Sequence, residues 1–198
     1  MKVKIAVLAS GNGSNLQAII DATSSEVLKL AEVVLVIANK KEAFALERAK
    51  RAGIEALFLD PLSFSTRFSY FEKITDELEN RKVDLVCLAG FLLKLEGPIL
   101  KRFSKRLLNI HPALLPKFGG KGMYGHHVHE AVLKAGEKES GCSVHVVDQD
   151  FDHGPILLQR KVLVLPEDTP QTLADRILKE EHLLYPEAIH LYIQKYLK

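Results

Sequence analysis

This chain has no long hydrophobic run. No apolar stretch approaches the ~18 residues a membrane span requires, so none is expected. Tryptophan is absent, and cysteine is scarce, with two in 198 residues. Two thiols cannot build the disulfide framework of a small secreted scaffold, and neither belongs to a CxxC pair. Cys87 in VDLVCLAG and Cys142 in GCSVHVV lie in strand-like runs and read as buried structural residues, with a reducing cytoplasm as the default compartment. An excess of one charge is also lacking. The net charge is +2 and the pI about 8.4, far from the strongly basic balance of a nucleic-acid binder. The opening MKVKIAVLASGNGSN is a poor signal peptide, because its short apolar stretch ends in a glycine loop, and it reads as a first strand. What is present is 47% apolar residues on a chain long enough to bury one sizeable core, so one domain spanning 1–198 is expected.

The first half alternates β-branched runs with amphipathic stretches. Strands are expected at Lys4–Ala9, Val33–Ala38, Glu55–Leu59, Val83–Ala89 and Leu107–Ile110. Helices are expected at Ser14–Ala22, Glu42–Ala52 (stopped by Gly53), Thr66–Asn80 and Pro98–Phe103. In the third helix Phe68, Phe71, Ile74 and Leu78 fall on one face. This alternation implies an α/β fold, Rossmann-like, with a mostly parallel central sheet covered by helices on both faces. After Ile110 the texture changes. A Pro- and Gly-rich stretch to Gly125 precedes a helix from His126 to Ala135. Two strands, Ser143–Val147 and Ile156–Val164, leave an antiparallel arrangement open. Thr169 caps a long final helix with Leu173, Ile177 and Leu184 inward and a break or kink at Pro186.

Three segments have the residue types for chemistry. Gly11-Asn12-Gly13-Ser14-Asn15 joins a strand to a helix. Glycines expose backbone N–H groups and a helix amino terminus attracts anions, which suits a phosphate; a plain tight turn capped by Ser14 is the alternative. A dinucleotide fits less well, because Leu16 stands where G-x-G-x-x-G needs its third glycine. In Leu108-Asn109-Ile110-His111-Pro112, two residues of spacing put Asn109 and His111 on one side of a strand. There an amide and an imidazole can face a developing oxyanion, or simply form a polar strand end. Asp148-Gln149-Asp150-Phe151-Asp152 alternates carboxylates without the further ligands of an EF-hand calcium loop. It is either a solvated acidic loop or the source of a carboxylate that raises the pKa of His111. The run His126-His127-Val128-His129 invites a zinc reading, but HExxH and a cysteine pair are both missing, so no metal is expected.

Nearly end to end, the blocks GNGSNLQAIIDA, AFALERAKRAGI, LAGF, LLNIHPALLPKF, GCSVHVVD, DFDHGPILLQ and EEHLLYP resemble the folate-dependent phosphoribosylglycinamide formyltransferase family. The resemblance implies a formyltransferase fold and transfer of a formyl group from the co-substrate 10-formyltetrahydrofolate to glycinamide ribonucleotide in purine synthesis. Nucleic acid and membrane are not implied as partners, and a homodimer is left open. By position it implies that Gly13, Ser14 and Asn15 hold the substrate phosphate and that Glu181 lies near the glycinamide end. Asn109 and His111 match the catalytic pair, with Asp152 keeping His111 charged near neutral pH. Arg67, Leu92, Leu93, Lys94 and Leu95 match the folate-binding segment. On this pattern residues 1–105 form the phosphate-binding half and 106–198 the catalytic and folate-binding half. Two departures stand out. Lys117-Phe118-Gly119-Gly120 replaces a Lys-Tyr-Pro-Gly type turn and opens a longer loop. Leu93 stands where bacterial relatives commonly carry arginine.

Overall fold

The computed structural model describes residues 2–197. Its strands are β1 (Val3–Ala9), β2 (Ala31–Ala38), β3 (Glu55–Phe58), β4 (Leu85–Leu88), β5 (Leu107–His111), β6 (Glu139–Val146) and β7 (Ile156–Leu163). The helices are α1 (Ser14–Thr23), α2 (Phe44–Arg51), α3 (Arg67–Asn80), α4 (Pro98–Arg102), α5 (His126–Lys134) and α6 (Pro170–Tyr196). All seven strands form one sheet in the order β3-β2-β1-β4-β5-β6-β7. The first five run parallel, and β6 and β7 are both antiparallel to their neighbours.

The alternation within β1 explains why the sheet is covered twice. Ile5, Val7 and Ala9 enter one core with α1, α2 and α6, whereas Ala6 and Leu8 enter the other with α3 and α4. β4 divides the same way, Leu85 and Cys87 against Val86 and Leu88. Cys87 and Cys142 are free thiols buried in the first of these cores.

Helix starts follow their caps. The Thr66 hydroxyl accepts from Ser69 N and the Thr169 hydroxyl from Thr172 N, each within a reciprocal capping box. Asp168, just before α6, takes a two-pronged bond from Arg176 at 2.6 and 2.7 Å.

Two expectations are corrected. Helix α6 does not break at Pro186 but continues for its full 27 residues. A proline removes one backbone donor, but here Pro186 is buried between Leu184, Tyr185 and Ala188, Ile189, which hold both flanks of the helix to the sheet. In α3, Phe71, Ile74 and Leu78 are buried, but Phe68 is 54% exposed. It lies in the first turn and covers Gly97 instead of the sheet, while Tyr70 takes its expected place in the core. Among the described residues no helix is long and apolar enough to cross a membrane.

Candidate active site

Strand order reverses between β1 and β4, and the loops that leave their carboxyl ends flank this switch point, where ligand crevices form in open α/β sheets. Ser10, at the end of β1, ties the two loops together. Its N–H donates to the Gly90 carbonyl at 3.1 Å, and its hydroxyl accepts from Leu92 N at 3.0 Å. A cleft of about 1220 Å³ opens above this point. Asn15, Arg67, Leu92, Leu93, Lys94, Leu95, Asn109, His111, Asp152 and Glu181 all line it.

The floor is built by β5. Asn109 and His111 project from the same side of the strand, and the antiparallel register sets His145 and Ser143 of β6 directly opposite them. Asp152 arrives from the loop before β7. That loop packs so closely on β6 that a Cβ at Gly154 would stand 1.8 Å from the Val146 carbonyl oxygen. Asp152 itself adopts a left-handed φ of 53°. Its Oδ1 accepts from Asn109 Nδ2 at 3.3 Å, its Oδ2 lies 3.4 Å from His111 Nδ1, and Oδ2 also accepts from Gly120 N at 3.0 Å. Asn109 Nδ2 is 3.1 Å from His145 Nε2. The Asn109, His111 and Asp152 side chains therefore form one compact cluster, in which Asn109 donates to Asp152 and Asp152 lies beside His111.

The pKa of His111 shifts in the direction opposite to the one expected. Burial, the largest influence, pushes its pKa below the ordinary histidine value; the Asp152 carboxylate and the Phe118 carbonyl oppose this without overcoming it. The expectation that a carboxylate reaches His111 implied the opposite sign because the sequence carries no information on burial, and His111 is only 3% exposed. A carbonyl can only accept, so the 2.7 Å bond from Nε2 to the Phe118 oxygen puts the ring proton on Nε2 and leaves Nδ1 facing Asp152. Burial raises the Asp152 carboxyl, but His145, His111 and the Gly120 N–H together hold it below its ordinary value.

At the other end of the cleft Glu181 of α6 accepts from Asn15 Nδ2 of α1 at 2.6 Å. Burial pushes the Glu181 carboxyl up to about 7, against the lowering effect of Asn15. On the rim, Arg67 donates to the Lys94 carbonyl at 2.6 Å and to Glu96 at 3.0 Å. It thereby holds the Leu92–Leu95 segment, whose Leu95 is rooted in the core beside α3 and α4. Lys94 reaches over the Phe151 ring.

Gly13 and Ser14, which precede Asn15, do not themselves line this cleft. Ser14 lines a second cavity of about 600 Å³ with Gln17, Arg48 and His182. Gly13, at φ 75°, packs so tightly on Ala45 that an added Cβ would be 2.8 Å from the Ala45 Cβ. Among the histidines of α5, only His129 is buried; His126 and His127 are exposed beside Glu130. The sequence reading overlooked His145, the Phe118 carbonyl and Arg48. Strand alternation would have placed His145 and Ser143 on one face, but pairing that face with Asn109 requires the register.

Comparison with known proteins places these features in context. The sequence profile described as formyl transferase matches residues 3–189. The chain is 46% identical over 191 residues to the trifunctional purine biosynthetic protein adenosine-3 of Drosophila melanogaster, covering 96% of this chain and 14% of that protein. It thus spans about a seventh of that relative's length. It is 41% identical over 196 residues to the phosphoribosylglycinamide formyltransferase of Escherichia coli (strain K12), covering 99% of this chain and 90% of that one. The crystal structure of glycinamide ribonucleotide transformylase 1 from Symbiobacterium toebii superposes with a TM-score of 0.93 at 44% identity, over 98% of this chain and 88% of the other.

Proposed function

The chain belongs to the formyl transferase family, and from that premise we propose that it transfers the formyl group of 10-formyltetrahydrofolate to the amine of glycinamide ribonucleotide, a step of purine synthesis. The observation that carries this reading is the Asn109–His111–Asp152 cluster, set in the floor of a cleft large enough for two extended ligands. The turn after β1, in the first half of the chain, receives the acceptor's phosphate. Asn15 and Glu181 meet its glycinamide end. The apolar segment Leu92–Leu95, held by Arg67, receives the folate ring of the donor.

The neutral amine attacks the formyl carbon, forming a C–N bond and a tetrahedral oxyanion. The formyl oxygen competes with the Phe118 carbonyl for the Nε2 proton of His111 and with Asp152 Oδ1 for the Asn109 amide. With its pKa held below the ordinary histidine value by burial, the ring favours the neutral form and has room for the proton that the amine nitrogen releases. That proton settles on Nδ1, where Asp152 stabilises the doubly protonated ring. The C–N bond to the folate nitrogen then breaks, and His111 returns a proton to that leaving nitrogen. No bond between enzyme and formyl group is needed.

The test is to follow tetrahydrofolate release from 10-formyltetrahydrofolate with and without glycinamide ribonucleotide. Release only with the amine is expected. Release without it marks a hydrolase, and no release in either case refutes the reading. Asp152→Asn should lower kcat by at least about a hundredfold with both KM values nearly unchanged, and near-normal turnover would remove Asp152 from the mechanism.

A further inference from the structure

Helix α2 holds the turn between β1 and α1 from behind, in addition to what the turn's own glycines allow. Ala45 and Arg48 are three residues apart and share one face of α2. Ala45 N donates to the Gly11 carbonyl at 3.2 Å, and Ala45 also presses against Gly13. Arg48 grips Asn12 twice: its Nε donates to the Asn12 carbonyl at 2.9 Å and its Nη2 to Asn12 Oδ1 at 2.9 Å. The remaining nitrogen, Nη1, reaches Gln17 Oε1 of α1 at 3.3 Å.

In a trans peptide the C=O and the following N–H point in opposite directions. Pinning the Gly11 and Asn12 carbonyls against α2 therefore turns the N–H groups of Asn12 and Gly13 away from it. The Gly13 carbonyl is taken by Gln17 N at 2.9 Å as α1 begins, so the Ser14 N–H points out of the amino end of that helix. No side chain caps α1. Successive backbone N–H groups turned to one side make an anion-binding concavity. The charge of Arg48 adds to it, because all three of its acceptors are neutral, whereas its neighbour Arg51 is paired with Glu47 at 2.9 Å.

We propose that Arg48 is the positioning residue of the acceptor's phosphate site: it orients the N–H groups of the Gly11–Ser14 turn and leaves an uncompensated positive charge behind them. This rests on the phosphate reading of that turn within the proposed transferase reaction. Arg48 bonds the turn from behind and need not touch the reacting atoms.

The experiment compares the parent protein with Arg48→Met and Arg48→Lys. Acceptors are glycinamide ribonucleotide and its phosphate-free nucleoside, and inorganic phosphate serves as competitor and as ligand in calorimetry. Arg48→Met should raise the KM for the phosphorylated acceptor about tenfold or more, and weaken inorganic phosphate by a similar factor. The kcat, the KM of the folate donor and kcat/KM for the phosphate-free acceptor should stay within about twofold of the parent. Arg48→Lys keeps the charge but not the fork, and should fall between the two. An equal loss with both acceptors would reduce Arg48 to general support of the fold and overturn the proposal; so would an unchanged KM with unchanged phosphate inhibition. If the parent transfers formyl to neither acceptor, the transferase reading fails, and calorimetry still decides the role of Arg48. Weaker inorganic phosphate binding by Arg48→Met sustains it, and equal binding overturns it.

Discussion

Glu181→Gln is expected to raise the thermal stability of the protein above neutral pH while lowering its activity. Glu181 is 8% exposed and accepts from Asn15 Nδ2 at 2.6 Å. Burial pushes its carboxyl from 4.5 up to about 7. The folded chain therefore keeps a proton that the unfolded chain releases. The stability from this group is complete below about pH 4.5 and is lost as the pH rises through 7. At 1.36 kcal/mol for each step of one in pKa, the rise from 4.5 to about 7 amounts to about 3 kcal/mol as an upper bound. Glutamine retains a carbonyl oxygen for Asn15 and never ionises, so the variant avoids that loss. For a chain of this size about 3 kcal/mol corresponds to roughly 6–12 °C in Tm. Scanning calorimetry at pH 5 and pH 8.5 should show curves close together at the lower pH and the variant melting higher at the upper one. Two curves displaced by the same amount at both pH values, or a variant that melts lower at pH 8.5, would refute the reasoning. The same substitution removes the carboxylate proposed to meet the acceptor, so its turnover should fall, a trade of function against stability.

Gly13→Ala puts a Cβ 2.8 Å from that of Ala45 on a backbone at φ 75°, and should cost about 1–3 kcal/mol in urea unfolding. An unchanged midpoint would show that the contact with α2 yields freely. His129 lies buried on α5 with its Nδ1 unpartnered, and burial pushes its pKa down to about 4. The folded chain thus keeps the ring neutral. Stability from this group is full above about pH 6.5 and is lost as the pH falls through 4, by about 3 kcal/mol as an upper bound. His129→Gln should flatten that slope in urea titrations between pH 7 and 4, and a slope equal to the parent's would contradict the assignment.

Much of the scaffold is legible in local chemistry. Alternation in β1 foretells two cores, because a strand shows successive side chains to opposite faces whatever lies beyond them. Thr66 and Thr169 mark helix starts, and Gly53, at φ 69°, ends α2, because caps act within a single turn. Pro186 suggested a break for the same reason: its local cost is visible in sequence, whereas the packing of Tyr185 and Ile189 on the sheet is not. The direction of β6 and β7 was also left open, since either direction buries the same alternating residues.

The chain's own residues thus determined the α/β alternation, the glycine turn after β1 and the Asn109–His111 spacing on one strand face. Only the tertiary structure decided how these act. It set His145 opposite Asn109 through antiparallel register, brought Asp152 to His111 across 41 residues of chain, and clamped Asn12 with Arg48 from a different helix. It also reversed the expected shift of His111. Periodicity and caps depend on neighbours a few residues apart. Register, burial and the electrostatics of a buried ring depend on groups that meet only after the chain has folded.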